Sequence, residues 1–255
     1  MNTSVIDQPL SPGIISIDMA GQVFTHKLRP PPLSPADNAI VLDLASPLYN
    51  PGATIDGVSK VYDRSGQGNH GTITGATYKT LPSGQVYLDF DGADDKLAIP
   101  HSASIALTNN FALEMWVYYT TFATNEILIS KRATGVGNYG FQIYAFSADG
   151  HLNMASNVGN VNSDASLVVA GQWIHIFIID DNTTLTYYKN GVAAGSGTLT
   201  TGADSGEPLV YGINYSDAPD LFTSYKVALP RAYNAVPPST TPEIHFNQER
   251  HLFGR

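Results

Sequence analysis

An all-β architecture is what this sequence predicts, on three observations. Apolar and polar residues alternate over short runs, Gly, Asn and Asp separate those runs roughly every 8 to 12 residues, and nothing before residue 240 holds a helical period. Short strands joined by tight turns, with no crossover helices between them, pair antiparallel and close into a sandwich or barrel.

Residues 1–38 stand apart from that pattern. Prolines at positions 9, 12, 30, 31, 32 and 35 fix φ and remove backbone donors, so the segment is expected to run extended, with one or two short strands near residues 14–17 and 22–28. Such an arm has no core of its own: its composition alone favours a disordered terminus, and the competing expectation is an arm tied down by its own domain or by a neighbouring subunit. The expected organisation is a Pro-rich N-terminal arm over residues 1–38 and a β domain over residues 39–255.

Strands are expected at 39–44, 86–90, 96–99, 111–119, 126–131, 140–146, 151–156, 166–169, 173–179, 185–189, 209–213 and 222–229. In "FALEMWVYY" the period of two sets Phe111, Leu113, Met115 and Val117 on a core face and Glu114, Trp116 and Tyr118 on an amphipathic one. "WIHIFIIDD" is apolar almost throughout, as an interior strand covered on both sides would be. "ADGH" (148–151) and "KNGV" (189–192) carry the Asp-Gly and Asn-Gly pairs that suit type I′ hairpin turns. Only the end reads as a helix: Thr240 as cap, Pro242 in the first turn, Glu243 three residues after the cap, and Ile244, Phe246 and Leu252 as apolar contacts.

Composition removes several function classes. The chain has 255 residues, enough to bury about three quarters of its unfolded surface. With no cysteine, thiol catalysis, cysteine-ligated zinc and disulfides are excluded. Thirteen basic against 22 acidic residues give a net charge of −9 with the cations scattered, so no footprint for a nucleic-acid backbone exists. The start lacks a basic segment followed by an apolar one, and no run approaches the roughly 20 apolar residues of a membrane span. The expectation is a protein with no signal peptide and no membrane insertion.

"VYDRSGQGNHGTI" (61–73) concentrates Asp63, Ser65, three glycines and Asn69. A phosphate-binding loop would end in Gly-Lys-Ser/Thr and open a helix; a nucleophile elbow would read Gly-x-Ser-x-Gly. Neither pattern is present. Glycines that permit positive φ, with Asp and Asn side chains that bond nearby backbone, make a scaffold turn.

That stretch and "YLDFDGADDKLAI", "FALEMWVYY", "ILISKR", "GQWIHIFIIDD", "YYKNGV" and "PRAYNAVPPSTTPEIHFNQ" follow one another in an order and spacing that resembles the laminin-G-like, concanavalin A-like jelly rolls over about residues 40 to 253. The resemblance implies two antiparallel sheets packed face to face, rim loops, and a concave face available to ligands. It also implies a rim calcium in many relatives, while the position that supplies an Asp in their last strand is Ala228 in this chain.

The candidate ligands for calcium are Asp63, Asp91, Asp94 and Asp95, hard oxygens clustered around "DFDGADD" apart from Asp63. A solvated turn is the competing reading of these aspartates. The candidate carbohydrate-binding residues are Trp116, Tyr118, Tyr139 and Tyr215, aromatic faces of the kind that sugars and protein partners both use. No catalytic residue is expected: a glycosidase needs two facing carboxylates, and the strands show no Glu-x-Asp-x-x-Glu run. Glu114 is expected to be a hydrogen-bonded structural group and His175 a packed core histidine; the seven histidines show no metal-ligand spacing.

The function expected from these readings is a non-catalytic, surface-displayed structural module held in an assembly by its N-terminal arm. A virion, as a capsid decoration or a tail component, is the expected setting. Neighbouring subunits, and glycans at the rim, are the expected partners. The alternatives are a free carbohydrate-binding protein, calcium-dependent or not, and, less favoured, a polysaccharide-degrading enzyme.

Overall fold

β-Branched and aromatic residues at alternate positions make strands of most of these runs, and pairing fixes their order. A computed structural model of the chain describes residues 16–17, 23–24, 39–44, 54–55, 58–121, 125–132, 140–199, 202–214 and 221–255. The chain divides into two compact units, Met1–Ser34 and Pro35–Arg255. In the first, β1 (Ser16–Ile17) and β2 (Val23–Phe24) pair antiparallel. The rest of the expected arm lies outside the described residues.

The second unit continues through β3 (Ile40–Asp43), β4 (Thr54–Ile55), β5 (Val58–Val61), β6 (Gly71–Thr74), β7 (Thr77–Thr80), β8 (Val86–Asp91) and β9 (Lys96–Ile99). After a 3₁₀ turn at Ala103–Ile105 come β10 (Phe111–Tyr118), β11 (Glu126–Arg132), β12 (Gly140–Ala145), β13 (Leu152–Ser156) and β14 (Gly159–Asn162). Then follow β15 (Trp173–Asp180), β16 (Thr184–Lys189), β17 (Val192–Thr198), β18 (Leu209–Tyr211), β19 (Ser224–Tyr233), the helix α1 (Thr241–Glu249) and a 3₁₀ turn at Arg250–Phe253.

One sheet has the order β17-β16-β15-β10-β19-β8-β7, with β3 also paired to β19; the other runs β14-β13-β12-β11-β18-β9-β6-β5-β4. Every ladder is antiparallel. The two sheets bury one shared apolar interior in which Phe111, Leu113, Met115 and Val117 meet Phe141, Ile143, Leu152 and Met154. This is the face of β10 that alternation predicts. β15 is buried at all eight positions, His175 and Asp180 included, as an almost wholly apolar strand covered on both sides would be.

A bulge in β19 decides which side chains reach the outer face of the first sheet. Opposite β10 the register jumps from Ala228, paired with Trp116, to Arg231, paired with Glu114, so β19 carries one extra residue. Leu229 takes φ +51 there, and the Pro230 carbonyl accepts the Leu44 N–H at 3.0 Å. The extra residue reverses the alternation and turns Arg231 outward, beside Glu114.

Several elements differ from expectation. Residues 166–169 form a loop, not a strand: Ser166 has φ +59 and the Val168 N–H bonds the Gly150 carbonyl at 2.8 Å. Leu167 and Val168 are nevertheless buried in the core, which explains their strand-like pattern. The Asn190-Gly191 turn has positive φ at both residues and joins the Lys189–Val192 pair, as a type I′ turn does. The "ADGH" stretch is a longer loop in which only Gly150 has positive φ, closed by Phe146 N–H to His151 carbonyl at 2.9 Å. β6, β7, β14 and β17 arise from Gly-, Thr- and Asn-rich sequence that lacks an apolar signal; neighbouring strands impose them.

At one margin of the sandwich β17 lies against β14 of the other sheet. The Asp164 N–H bonds the Ala194 carbonyl at 3.0 Å, and a Cβ on Gly197 would stand 2.9 Å from the Val161 side chain. At Gly195, φ is +100 and a Cβ would meet the Asp164 nitrogen at 2.5 Å. Two side-chain-free positions thus let the two sheets touch.

Candidate functional site

The loop at 61–73 is saturated by its own chain. The Asp63 carboxylate accepts the backbone N–H groups of Asp43 (2.9 Å), Ser65 (2.9 Å) and Asn69 (2.9 Å) and the Ser65 hydroxyl (2.7 Å). Asn69 Nδ2 donates to the Val41 carbonyl (2.6 Å) and to Ser104 Oγ (2.8 Å), while its Oδ1 accepts the Ser102 hydroxyl (2.7 Å). These bonds fasten the loop to β3 and to the Ala103–Ile105 turn. The scaffold reading is therefore the geometry observed, and Asp63 has no lone pair left for a cation.

The acidic turn does converge. Asp91, Asp94 and Asp95 bring one carboxylate oxygen each within 4.8 Å of one another, without Asp63. Desolvation raises the Asp95 pKa, and the charges of Asp91, Asp94 and Asp89 add to this against a hydrogen bond from the Asp91 N–H at 2.7 Å. A hard-oxygen cluster whose mutual repulsion a dication would relieve fits calcium chemistry.

The outer face of the first sheet is closed by α1 and the turn that follows it. Trp116 is fully buried there, its ring stacked on Phe253 with centroids 4.0 Å apart and on Phe246 at 5.8 Å. The expectation that Trp116 meets a sugar is thus corrected: its face is already taken by the chain's own C-terminal aromatics. Tyr118 is half-buried at the border of this face, with Lys226 Nζ 4.4 Å from its ring centroid and Trp173 at 5.6 Å. Tyr139 and Tyr215 lie outside the described residues.

Beneath α1 is a buried ionic cluster. Glu114 accepts bonds from Arg231 Nη1 (2.8 Å) and the Tyr233 hydroxyl (2.7 Å), and contacts His175 Nε2 (2.9 Å) and His245 Nδ1 (3.0 Å). Arg231 also bonds Glu249, which accepts the Trp116 indole N–H at 2.8 Å, and Asp43 Oδ1 lies 3.7 Å from Arg231 Nε. Burial alone would raise the Glu114 pKa, but the charges of Arg231 and His245 and the histidine hydrogen bonds hold it well below the ordinary carboxylate value. Burial would lower His245; the adjoining Glu114 carboxylate overrides that and raises it.

Glu114, His175 and Glu249 have the mutual spacing of metal ligands, and Glu114 with Glu249 is a carboxylate pair. The Arg231 guanidinium bonds both carboxylates, so the site already holds its cation, and neither acid can reach a substrate at 0% and 3% exposure. Glu114 is the structural group the sequence suggests, and His175 is packed against it, although its Nδ1 has no partner. Arg231, His245 and Glu249 are absent from the sequence-level candidates. Pro230 was the available signal, because a proline inside a strand marks a bulge.

The second sheet presents a different outer face. Phe141, Ile143 and Ala145 of β12, Leu152 and Met154 of β13 and Val161 of β14 point into the core. Gln142, Tyr144, Asn153, Ala155, Asn160 and Asn162 are therefore on the opposite side. Register places Tyr144 beside Asn153 and Asn153 beside Asn162, with Ser130, Gln142, Ala155 and Asn160 forming the next row. Asn153 Nδ2 donates to Asn162 and, at 3.5 Å, to Asn160. Ser130 Oγ and Asn153 Oδ1 are buried without a hydrogen-bond partner, and Gln142 Nε2 donates to the Asn214 carbonyl at 2.9 Å. Along β12 the aromatic Tyr144 leads to Phe146 (5.0 Å), which stacks on His151 (4.4 Å). Amides next to aromatic rings, on a half-open face, suit a hydroxyl-rich ligand.

Two antiparallel sheets over one apolar interior define a lectin-like jelly roll. A family model described as the concanavalin A-like lectin/glucanases superfamily matches residues 91–235, more than half of the sequence, and the chain belongs to that superfamily. Among solved structures it is similar to the binding domain of Paraclostridial Mosquitocidal Protein 1, at 15% identity and TM-score 0.64, covering 86% of this chain and 56% of that one. It is similar to domain 4 of AbnA, a GH43 extracellular arabinanase from Geobacillus stearothermophilus solved with arabinotriose, at 16% identity and TM-score 0.58, covering 81% and 97%. The botulinum neurotoxin serotype G binding domain aligns at 14% identity and TM-score 0.57, covering 74% and 49%. The chain spans about half the length of the two toxin binding domains. No curated protein sequence matches it.

Proposed function

We propose that this protein is a non-catalytic, glycan-binding display module whose ligand lies on the outer face of β12–β14. The observation that carries this reading is the contrast between the two outer faces: one is closed by α1 over a neutralised ionic cluster, the other offers amides, Tyr144 and a buried, unpartnered Asn153 Oδ1. Sugar hydroxyls donate and accept at once, which is what such a mixture of amide oxygens and N–H groups pairs with. The arabinotriose complex of a domain with this fold supports the same class of ligand.

On a neutral-polysaccharide array, saturable binding is expected for the intact protein. Asn162→Ala and Asn153→Ala are each expected to weaken it about tenfold, the loss of one well-made buried hydrogen bond. Binding unchanged in both variants, or none to any glycan, rejects this site.

In this reading residues 1–38 tether the module to neighbouring subunits, with a virion surface as the setting. The division of the chain near residue 34 supports a separable arm. Deleting residues 1–38 is expected to leave a folded sandwich that no longer assembles; assembly that proceeds unaltered overturns the tether.

Asp91, Asp94 and Asp95 would hold a calcium ion, which would supply positive charge to the turn between β8 and β9. Millimolar calcium is expected to raise Tm for the wild type and not for Asp94→Asn, since a ligand bound only by the native state stabilises it. Equal Tm with calcium and with chelator assigns the turn to solvent alone.

A further inference from the structure

We propose that the C-terminal segment, residues 241–255, is a strap that closes over the outer face of the first sheet at acidic to neutral pH and is released at alkaline pH while the sandwich remains folded. Three observations make it separable. Among the described residues its backbone-to-backbone hydrogen bonds stay within residues 238–255, so no ladder joins it to the sheet. The family match ends at residue 235, ahead of α1. It is also not an ordinary amphipathic helix: Ile244 faces outward at 44% exposure, while His245 and Glu249 are buried.

Side chains alone hold the strap. At the far end the Leu252 carbonyl accepts the Ser83 hydroxyl (2.6 Å), Arg255 Nη1 donates to Gln172 Oε1 (2.7 Å), and Phe253 stacks on Trp116. At the helix itself His245 Nδ1 lies 3.0 Å from both oxygens of Glu114, and Glu249 bonds Arg231 and Trp116. His245 meets Glu114 of β10, and the charges of Arg231 on β19 and Glu249 on α1 act on it; Glu114 is in turn contacted by His175 of β15 and Tyr233 of β19, and Asp43 of β3 lies behind Arg231, paired also with Arg64 at 2.7 Å. Two acids and Asp43 against Arg231 leave the cluster short of positive charge unless His245 is protonated.

The sign follows from linkage. The folded His245 pKa is raised, so a proton on its imidazole favours the closed strap. That contribution is complete below the ordinary histidine value of about 6.5 and is lost as pH rises through the higher folded value. Glu114, depressed in the fold, limits the other side: its contribution is present above the ordinary carboxylate value and is lost as pH falls toward its own.

Hydrogen exchange of the full chain, corrected for intrinsic rates, tests the strap from about pH 6, near the ordinary histidine value, to about pH 9. Protection of residues 241–255 is expected to fall about tenfold or more with rising pH, while that of β10 and β15 stays level. His245→Gln is expected to flatten this dependence and His245→Lys to hold the strap closed at alkaline pH, whereas His175→Gln should keep the wild-type profile. Protection of 241–255 that is independent of pH, that falls together with β10 and β15, or that keeps its dependence in His245→Gln overturns the proposal. If His245→Gln does not fold, the wild-type and His245→Lys profiles decide it alone.

Discussion

Replacing Arg231 by Met is expected to destabilise the protein by about 3 to 5 kcal/mol, the cost of leaving a buried ion without its partner. Glu114 and Glu249 both rely on this guanidinium, and Asp43 approaches it from the third side. Without it, carboxylates at 0% and 3% exposure face one another across a closed space. The measurement is the urea midpoint at constant slope. Combining Arg231→Met with Glu114→Gln should recover part of the loss, because the remaining unpaired charge is then smaller. A single variant within about 1 kcal/mol of wild type, the worth of a surface pair, would mean that the cluster is open to water.

Asp63→Ala is the second large effect, with an expected cost of about 3 kcal/mol. Its carboxylate accepts three backbone N–H groups and one hydroxyl, and hydrogen bonds to a charged acceptor are worth about 1.5 to 3 kcal/mol each before water replaces the more exposed ones. Asp63→Asn keeps one acceptor oxygen and should lose roughly half as much. The loss is expected to be the same in calcium and in chelator, because every bond to Asp63 is made by the chain. A destabilisation that disappears in chelator would instead make Asp63 a cation ligand.

The sandwich was legible because its central strands carry their burial in their own pattern. The two-residue period of β10 and the almost wholly apolar run of β15 each follow from what covers them, so sequence and structure agree there. β7 and β17 were not legible: Thr77–Thr80 and Val192–Thr198 hold no fully buried residue, and a strand made by its neighbours leaves no period behind. The scaffold turn at 61–73 was legible because its chemistry is local, but Asp63, also a calcium candidate, spends its carboxylate on that turn.

The candidate site was harder. Trp116 looked like a ligand platform because its face of β10 is mixed, and what covers that face is an element more than a hundred residues later whose buried positions are Thr241, Pro242, His245 and Glu249. No hydrophobic period announces such a helix. Arg231 reaches Glu114 only through the bulge at Leu229, and a one-residue change of register is invisible to pattern. The amides of β12–β14 failed to draw notice for a related reason: Gln142, Asn153 and Asn162 are unremarkable singly, and only the alignment of three strands puts Asn153 beside Asn162 with Gln142 in the adjacent row.

The contact between β17 and β14 bears on behaviour at high local concentration. A sheet margin with free N–H and C=O groups recruits other chains, and this one is instead occupied by the opposite layer. A larger residue at Gly197 would push the layers apart and bare that margin, so self-association would rise before the fold itself weakened. At the far margin of the same sheet no strand lies beyond β7 among the described residues, and Lys79, 54% exposed and paired with Asp89, sets charge on that edge, a feature that disfavours pairing with another chain.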